Sequence, residues 1–377
     1  MKGLFFIVFL TLGASVSWIL ISPTVLFMMI PSRSVISIRR QWISFVSGIF
    51  FDFAAVLLTL LGTKVYVYSD SEEILTDTGV VILSNHRTRV DWMYAGWLYG
   101  YIIGVNPDQR VILKDALRSV PIYGWCMQIM MYIFLTRKKE NNTDIPHISN
   151  MITYLNKSST SKPSLLLFPE GTDLSKSNIE KNNEYARKNN LQETHQILYP
   201  KPGGLLTCLN SLSDQNTVIH DVTIAYKDYH QGKRTSEVSI LNGEFPREIH
   251  LNVKRYSKSD LPTSEKDIKK WLTDKFLEKE EILRNFYENN SRVPQVNDKM
   301  SSKWPSLLKY NLHLQTPKIL LIIISWIIIT FASFFYITIF RWFVFFMMII
   351  CVSAKSIGGL DVLELTFHYK RISKINS

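Results

Sequence analysis

The sequence predicts an α/β core sheet flanked by helices, with further membrane helices at the N-terminal and C-terminal ends. Two patterns carry that prediction. From Val65 to about Tyr256, short apolar runs rich in Val, Ile and Leu alternate with polar connectors and helix-patterned stretches. That alternation belongs to a sheet with at least partly parallel strands. Outside it lie uncharged apolar runs long enough for the about 20 residues that a bilayer-spanning helix needs. The changes of pattern divide the chain into N-terminal membrane segments (1–62), the α/β core (63–262), a charged helix with its linker (263–302), and a C-terminal membrane hairpin with a basic tail (303–377).

Residues 3–30 carry no charge and form a retained anchor, because a signal peptide has a shorter apolar region and a small-residue cleavage site. Arg33, Arg39 and Arg40 follow at once and bias that end toward the cytosol. The apolar stretch 43–61 is broken by Asp52, so it is expected to be shallow, interfacial or packed against protein. Within the core, 80–83, 165–168 and 218–226 read as strands, with strand-like runs at 111–113 and 132–135. Residues 92–101, 148–156 and 182–188 read as helices, and 189–194 and 211–217 as surface loops. FPREIHLNVKRY (245–256) alternates apolar and basic residues and is expected to be an amphipathic edge strand. In the charged helix 264–289, Glu280 and Arg284 have i,i+4 spacing, and Trp271, Phe276 and Leu283 form a narrow apolar stripe. A polar linker follows at 290–302. The apolar runs 319–340 and 342–354, parted by Arg341, predict a hairpin, and Lys370, Arg371 and Lys374 close the chain.

The net charge of +11 calls for an anionic partner. The Lys and Arg residues are spread out and no nucleic-acid module signature occurs, while aromatics reach 12%. A lipid bilayer or a phosphorylated substrate is therefore expected, and nucleic acid is not. Cys126, Cys208 and Cys351 are too scattered for a zinc site or a disulfide framework, so no metal is expected. With a cytosolic core, the sequons at Asn141, Asn156 and Asn289 are accidental.

Chemistry concentrates where the run 80–83 turns through Ser84 and Asn85 into His86 and, five residues on, Asp91. On an ideal helix that spacing sets the two about 140° apart. They meet only if His86 lies on the loop and Asp91 in the first helical turn. A neutral imidazole is a general base near neutral pH, and a carboxylate on its other nitrogen fixes the tautomer. Thr88 and Asp91 also read as a capping box, a purely structural role. No G-x-S-x-G occurs and no Cys adjoins the pair, so the proton would come from a substrate hydroxyl.

Three further stretches hold candidates. LLLFPEGT (165–172) runs a strand into Pro169, Glu170, Gly171 and Thr172, a turn able to present backbone N–H groups to an anion. YIFLTRKK (132–139) ends in cations, of which Arg137 is best placed to grip a phosphate. Lys114 follows the run 111–113. The plain alternatives are a solvated strand exit for Glu170 and a solvated or membrane-facing rim for the cations. His220 and Asp221, adjacent on a strand, point to opposite faces and do not act together. His250 reads as structural or interfacial.

Asn85-His86 followed by Asp91, then Phe168 to Thr172, resembles the glycerolipid acyltransferase family. NHRTRVDWM (85–93), FPEGTDLSKSN (168–178), HDVTIAY (220–226) and GEFPREIH (243–250) resemble its lysocardiolipin and lysophosphatidylinositol acyltransferase branch. The resemblance covers nearly the whole chain. It implies a multi-pass enzyme of the endoplasmic reticulum membrane moving an acyl group from acyl-CoA to a lysophospholipid hydroxyl, with acyl-CoA as co-substrate and no cofactor. By resemblance His86 is the base and Asp91 its orienting partner. Arg137, Glu170 and Gly171, with Thr172 and Lys114, are the substrate-binding candidates. Met131 and Thr136 stand where the family often has Gly and Asp, and 222–226 lacks a proline found in many relatives. A lysophosphatidic acid acyltransferase, a thioester hydrolase and a non-catalytic lipid-binding membrane protein are the competing readings. Head group, acyl chain, glycerol position and oligomeric state stay open.

Overall fold

The computed structural model describes residues 1–98, 109–137, 144–158, 162–212, 216–227, 237–288 and 316–374. Its centre is a seven-stranded sheet in the order β1-β7-β6-β2-β5-β3-β4. The strands are β1 (Lys64–Ser69), β2 (Val81–Ser84), β3 (Gln109–Lys114), β4 (Ile133–Leu135), β5 (Ser164–Leu167), β6 (Val218–Lys227) and β7 (Glu248–Ser257). All neighbours run parallel except β6 and β7, which pair antiparallel from Val218↔Ser257 to Lys227↔Glu248. β2 and β5 are buried along their whole length. A parallel strand covered on both faces reads as an unbroken apolar run, which is why these two were plain in the sequence. Each fully buried Val, Ile or Leu contributes on the order of 1.5–3 kcal/mol.

Twelve helices among the described residues surround the sheet: α1 (Lys2–Ile21), α2 (Arg33–Leu60), α3 (Asp91–Met93), α4 (Tyr123–Ile129), α5 (Asp144–Ser158), α6 (Lys176–Lys188), α7 (Pro202–Ser211), α8 (Glu237–Leu241), α9 (Glu265–Glu288), α10 (Thr316–Tyr336), α11 (Thr338–Ser353) and α12 (Leu360–Lys374). One apolar cluster joins α1 and α2 to one face of the sheet. A second joins α5, α7 and α9 to the other. The helix expected at 92–101 begins as α3 and continues as a π-helical turn, Tyr94–Leu98. Its last residues, the linker 290–302, Asn141 and Asn289 lie outside the described residues.

Three expectations are corrected. The stretch 245–256 does not form an edge strand: β7 lies between β1 and β6, and the edge is β1, which the sequence did not announce. Antiparallel pairing with β6 on one side and parallel pairing with β1 on the other satisfies both backbone edges of β7. Glu280 turns inward instead of reaching along the helix to Arg284, and Thr194, at the end of an expected surface loop, is fully buried.

Among the described residues, four helices are long and apolar enough to cross a membrane: Lys2–Phe27, Arg33–Leu60, Pro317–Tyr336 and Thr338–Ile357. The apolar half of α2 packs against protein, with Ala54, Ala55, Val56 and Leu58 fully buried. The break between α10 and α11 falls at Ile337, whose extended φ of −114° and ψ of 103° interrupts the helix. Arg341, one turn into α11, donates to the Thr338 hydroxyl at 3.0 Å. Beyond α11, α12 docks back on the core. Glu364, 2% exposed, accepts from Arg39 (3.2 and 3.1 Å), Arg40 (2.5 Å) and the Tyr154 hydroxyl (2.7 Å). Arg118 pairs with Asp361, and the Gln128 side chain accepts from the Leu360 N–H at 2.8 Å. Two of the three arginines counted as a topology signal are thus tied into a buried ionic cluster.

Candidate active site

The parallel strands end at one edge of the sheet, and the candidate residues gather there. β2 stops at Ser84, but Asn85 extends its pairing by a side chain. Its Oδ1 accepts the Ile224 N–H at 2.8 Å and its Nδ2 donates to the Ile224 carbonyl at 3.2 Å. The chain is then pinned twice at His86, whose N–H donates to Glu170 Oε1 at 2.7 Å and whose carbonyl accepts from the Leu174 N–H at 3.0 Å. The loop through Arg87 and Thr88 folds Asp91 back toward the imidazole.

His86 Nδ1 lies 3.0 Å from Asp91 Oδ2. Asp91 is fully buried, while the His86 side chain is 18% exposed. The Thr88 N–H donates to Oδ2 at 2.8 Å, and the hydroxyls of Thr88 and Tyr226 donate to Oδ1 at 2.7 and 2.6 Å. The expected capping box does not form, since α3 starts after Val90 with no side-chain cap, but the Thr88 groups still close the turn on the same carboxylate that orients the ring. With Nδ1 carrying its proton toward the carboxylate, Nε2 holds the lone pair that can accept another. Phe168 stacks on the imidazole with centroids 4.5 Å apart.

The PEGT turn is organised by its own backbone. Gly171, at a φ of +75°, occupies the left-handed region that suits glycine, and its N–H donates to the Phe168 carbonyl at 3.0 Å. Arg137 reaches the Gly171 carbonyl at 2.6 Å, while its own N–H donates to Asp144 Oδ2 at 2.8 Å. Lys201, which the sequence reading missed, donates its N–H to the Pro169 carbonyl at 2.8 Å. A Cβ built on Gly171 would meet its ammonium at 3.4 Å. Two cations thus flank the turn. The Thr172 hydroxyl engages locally, accepting from Asn178 at 3.0 Å. Lys114 stands on the same sheet edge, at the exposed end of β3, two strands from β2 and so about 10 Å along the sheet.

Glu170 holds the loop through backbone bonds on both sides. It is 2% exposed, and its second oxygen accepts the Leu198 N–H at 2.9 Å. It bridges the His86 loop to the chain entering α7, with both oxygens engaged by backbone N–H groups. Burial pushes its carboxyl up to about 8, although the two N–H donors pull the other way.

α9 supports the loop from beneath. Lys279, 1% exposed, donates to the carbonyls of Leu83 (3.2 Å) and Val222 (2.5 Å) and pairs with Asp221 at 2.7 Å. Desolvation lowers its pKa and Asp221 opposes that shift. Glu280 accepts three successive N–H groups, from His195, Gln196 and Ile197, at 2.9, 2.7 and 3.0 Å. Tyr287 lies under the Arg87 guanidinium, 4.0 Å from its ring centre, and its hydroxyl accepts the Tyr226 N–H at 3.1 Å. These residues were hidden in a Lys/Glu-rich stretch. The available signal was spacing, since Phe276, Lys279, Glu280, Leu283 and Tyr287 share one helical face. As expected, His220 and Asp221 part company: His220 Nε2 meets Asp77 at 2.9 Å, while Asp221 pairs with Lys279. His250 is buried, stacks on Tyr66 at 5.1 Å and bonds the Tyr68 hydroxyl at 3.1 Å.

This site lies in a chain with known relatives. A family model described as "Acyltransferase" matches residues 65–208, and one described as "Acyltransferase C-terminus" matches residues 239–313. Lysocardiolipin acyltransferase 1 of Gallus gallus is 33% identical over 97% of this chain and 94% of its own length. The chain belongs to the glycerolipid acyltransferase family. This acyltransferase is also similar to lysophosphatidylinositol acyltransferase 10 of Caenorhabditis elegans, at 35% identity over 62% of this chain and 59% of that one. Among solved structures, the 1-acyl-sn-glycerophosphate acyltransferase PlsC of Thermotoga maritima superposes with a TM-score of 0.45 at 16% identity, covering 78% of this chain and 100% of that one. The family places the protein in phospholipid metabolism, and its apolar helices associate it with a membrane.

Proposed function

We propose that this acyltransferase moves a fatty acyl group from acyl-CoA to the free hydroxyl of a lysophospholipid, with lysophosphatidylinositol or lysocardiolipin as acceptor. The observation that carries the reading is the 3.0 Å contact of a partly exposed imidazole with a fully buried carboxylate. His86 Nε2 takes the hydroxyl proton as that oxygen attacks the thioester carbonyl, giving a tetrahedral oxyanion. The oxyanion collapses, the C–S bond breaks, and the imidazolium returns the proton to the coenzyme A thiolate. Asp91 holds the ring and stabilises its charged form. Arg137, with Lys201 beside it, would take the acceptor's phosphate. Burial pushes the thiol of Cys208 up to about 12, which argues against it as an acyl carrier. The proposed setting is the endoplasmic reticulum membrane, crossed more than once.

Relatives named 1-acyl-sn-glycerol-3-phosphate acyltransferases, such as the Arabidopsis thaliana protein at 29% identity, favour lysophosphatidic acid as a second acceptor. A panel of lysolipids and acyl-CoAs, offered to membranes containing the protein or its His86→Ala form, tests the proposal. The expected result is acyl-CoA consumption that requires a lysolipid and disappears with His86. Consumption without acceptor would instead mean a thioester hydrolase, and equal turnover by His86→Ala would remove the base.

A further inference from the structure

Four donors converge on the Asp91 carboxylate, and they are not equivalent. The His86 ring and both Thr88 groups lie on the same short loop as Asp91, so they move with it. Tyr226 comes from elsewhere. It is fully buried near the end of β6, held between β2 and β7, and its hydroxyl donates to Oδ1 at 2.6 Å across 135 residues of chain. Its N–H in turn donates to the hydroxyl of Tyr287 on α9. Tyr287 also lies under Arg87, the residue after His86, and Arg87 donates to Gln196 at 2.9 Å. The dyad loop is thus fixed to the sheet from one side and to α9 from the other.

Resting on the reading of His86 as base, we propose that Tyr226 is a positioning residue for acyl transfer, and that Tyr287 of α9 holds it in register with Asp91. The physical reason is rotational. The Thr88 and Tyr226 hydroxyls together occupy Oδ1, which turns the lone pairs of Oδ2 toward Nδ1 while the imidazole gains its proton. Donors from the loop alone would leave the carboxylate free to tilt with that loop. Tyr226 is fully buried behind the dyad, so its loss should slow turnover and leave substrate affinity alone. Phenylalanine keeps the packing, because the Tyr226 ring meets Tyr94 edge-on at 5.4 Å. The segment matching the family's C-terminal model, which contains α9, thereby contributes to the site through Tyr287.

The test uses the full chain in detergent micelles with acyl-CoA and the best acceptor from the panel. Tyr226→Phe should lower kcat about tenfold or more, the loss of one hydrogen bond to a charged group, with KM for both substrates within about twofold. Thr88→Val should lower kcat too. The double variant should lose more than the product of the two single losses, because Oδ1 then has no hydroxyl donor. Tyr287→Phe, which leaves both hydroxyls on Asp91, should give a smaller loss of kcat. If Tyr226→Phe keeps full kcat, or changes KM alone, while His86→Ala is inactive, the positioning role is overturned and the base reading stands. If His86→Ala is active, the base reading itself falls. Should Tyr226→Phe fail to fold, Thr88→Val and Tyr287→Phe still decide: unchanged kcat in both overturns the proposal.

Discussion

Asp91→Asn isolates the charge of the dyad with almost no change of volume. Every donor around Asp91 points at a carboxylate oxygen, two at Oδ1 and two at Oδ2. An amide must place its NH2 against one of these pairs. Facing Oδ2's partners, it confronts the Thr88 N–H, which cannot accept, and drives Nδ1 to become the acceptor, so that Nε2 carries the proton and the base is lost. Facing Oδ1's partners, it meets two hydroxyls, which can rotate and accept. The second orientation is favoured and keeps the ring tautomer, but the imidazolium then forms beside a neutral dipole. Losing that charge stabilisation in a buried site costs about 2–4 kcal/mol at the transition state, or about thirtyfold to a thousandfold in kcat. KM for the acceptor should move little. Initial rates with saturating acyl-CoA in detergent micelles read this directly, beside a thermal melt showing that the variant is folded. A folded Asp91→Asn enzyme with more than half the original kcat would refute the role given to the carboxylate.

Three further outcomes follow from buried polar groups. Glu364→Ala strands Arg39 and Arg40 without their carboxylate and should cost about 3–5 kcal/mol, seen as a lowered melting temperature and faster proteolysis of the C-terminal segment. Glu280→Ala orphans three N–H groups ahead of Leu198 and should destabilise the core by about 3 kcal/mol or more in denaturant titrations. Asp77 would be raised by desolvation alone, but hydrogen bonds from His220 and Arg255 outweigh this and hold it at about 2. Its contribution is therefore present above its ordinary 3.8 and lost as pH falls toward 2. Asp77→Asn should cost about 1–2 kcal/mol at neutral pH, discounted for partial exposure, with the gap closing in acid melts.

What the sequence disclosed followed the range of the interaction. β2 and β5 were legible because burial on both faces leaves an unbroken apolar run. The meeting of His86 and Asp91 was legible because five residues and one turn decide it. Tyr226 was not, since nothing near it in the chain tells a core tyrosine from one whose hydroxyl serves Asp91. Glu280 was read as an i,i+4 partner of Arg284 and Lys279 was passed over, because a Lys/Glu-rich helix carries the same composition whether its inner face bonds backbone or water. Their partners lie at Val222, Leu83 and 195–197, which no local pattern connects. The bonds of Glu170 were hidden for the same reason: a carboxylate at a strand exit is ambiguous until the N–H groups it accepts are known.

The division drawn at residues 62 and 63 marks a change of sequence pattern more than a change of packing. Val90, Met93 and Tyr94, on the segment that carries Asp91, belong to the same buried cluster as Phe53, Val56 and Leu58 of α2 and Phe6 and Leu10 of α1. Phe168, stacked on His86, packs against that cluster too. About half of the apolar window of each N-terminal helix is buried inside the protein, 44% and 50%, against 17% for each of the two apolar C-terminal helices. The first pair therefore forms part of the core on which the dyad loop rests, whereas the second presents most of its surface outward. Apolar surface that a bilayer can cover and apolar surface that sets the imidazole's surroundings are two sides of α1 and α2. Changes on the inner side, such as an enlarged Ala54 or Ala55, press on the core shared with the dyad loop, while changes on the outer side, at the exposed Leu4 or Val8, fall away from that core.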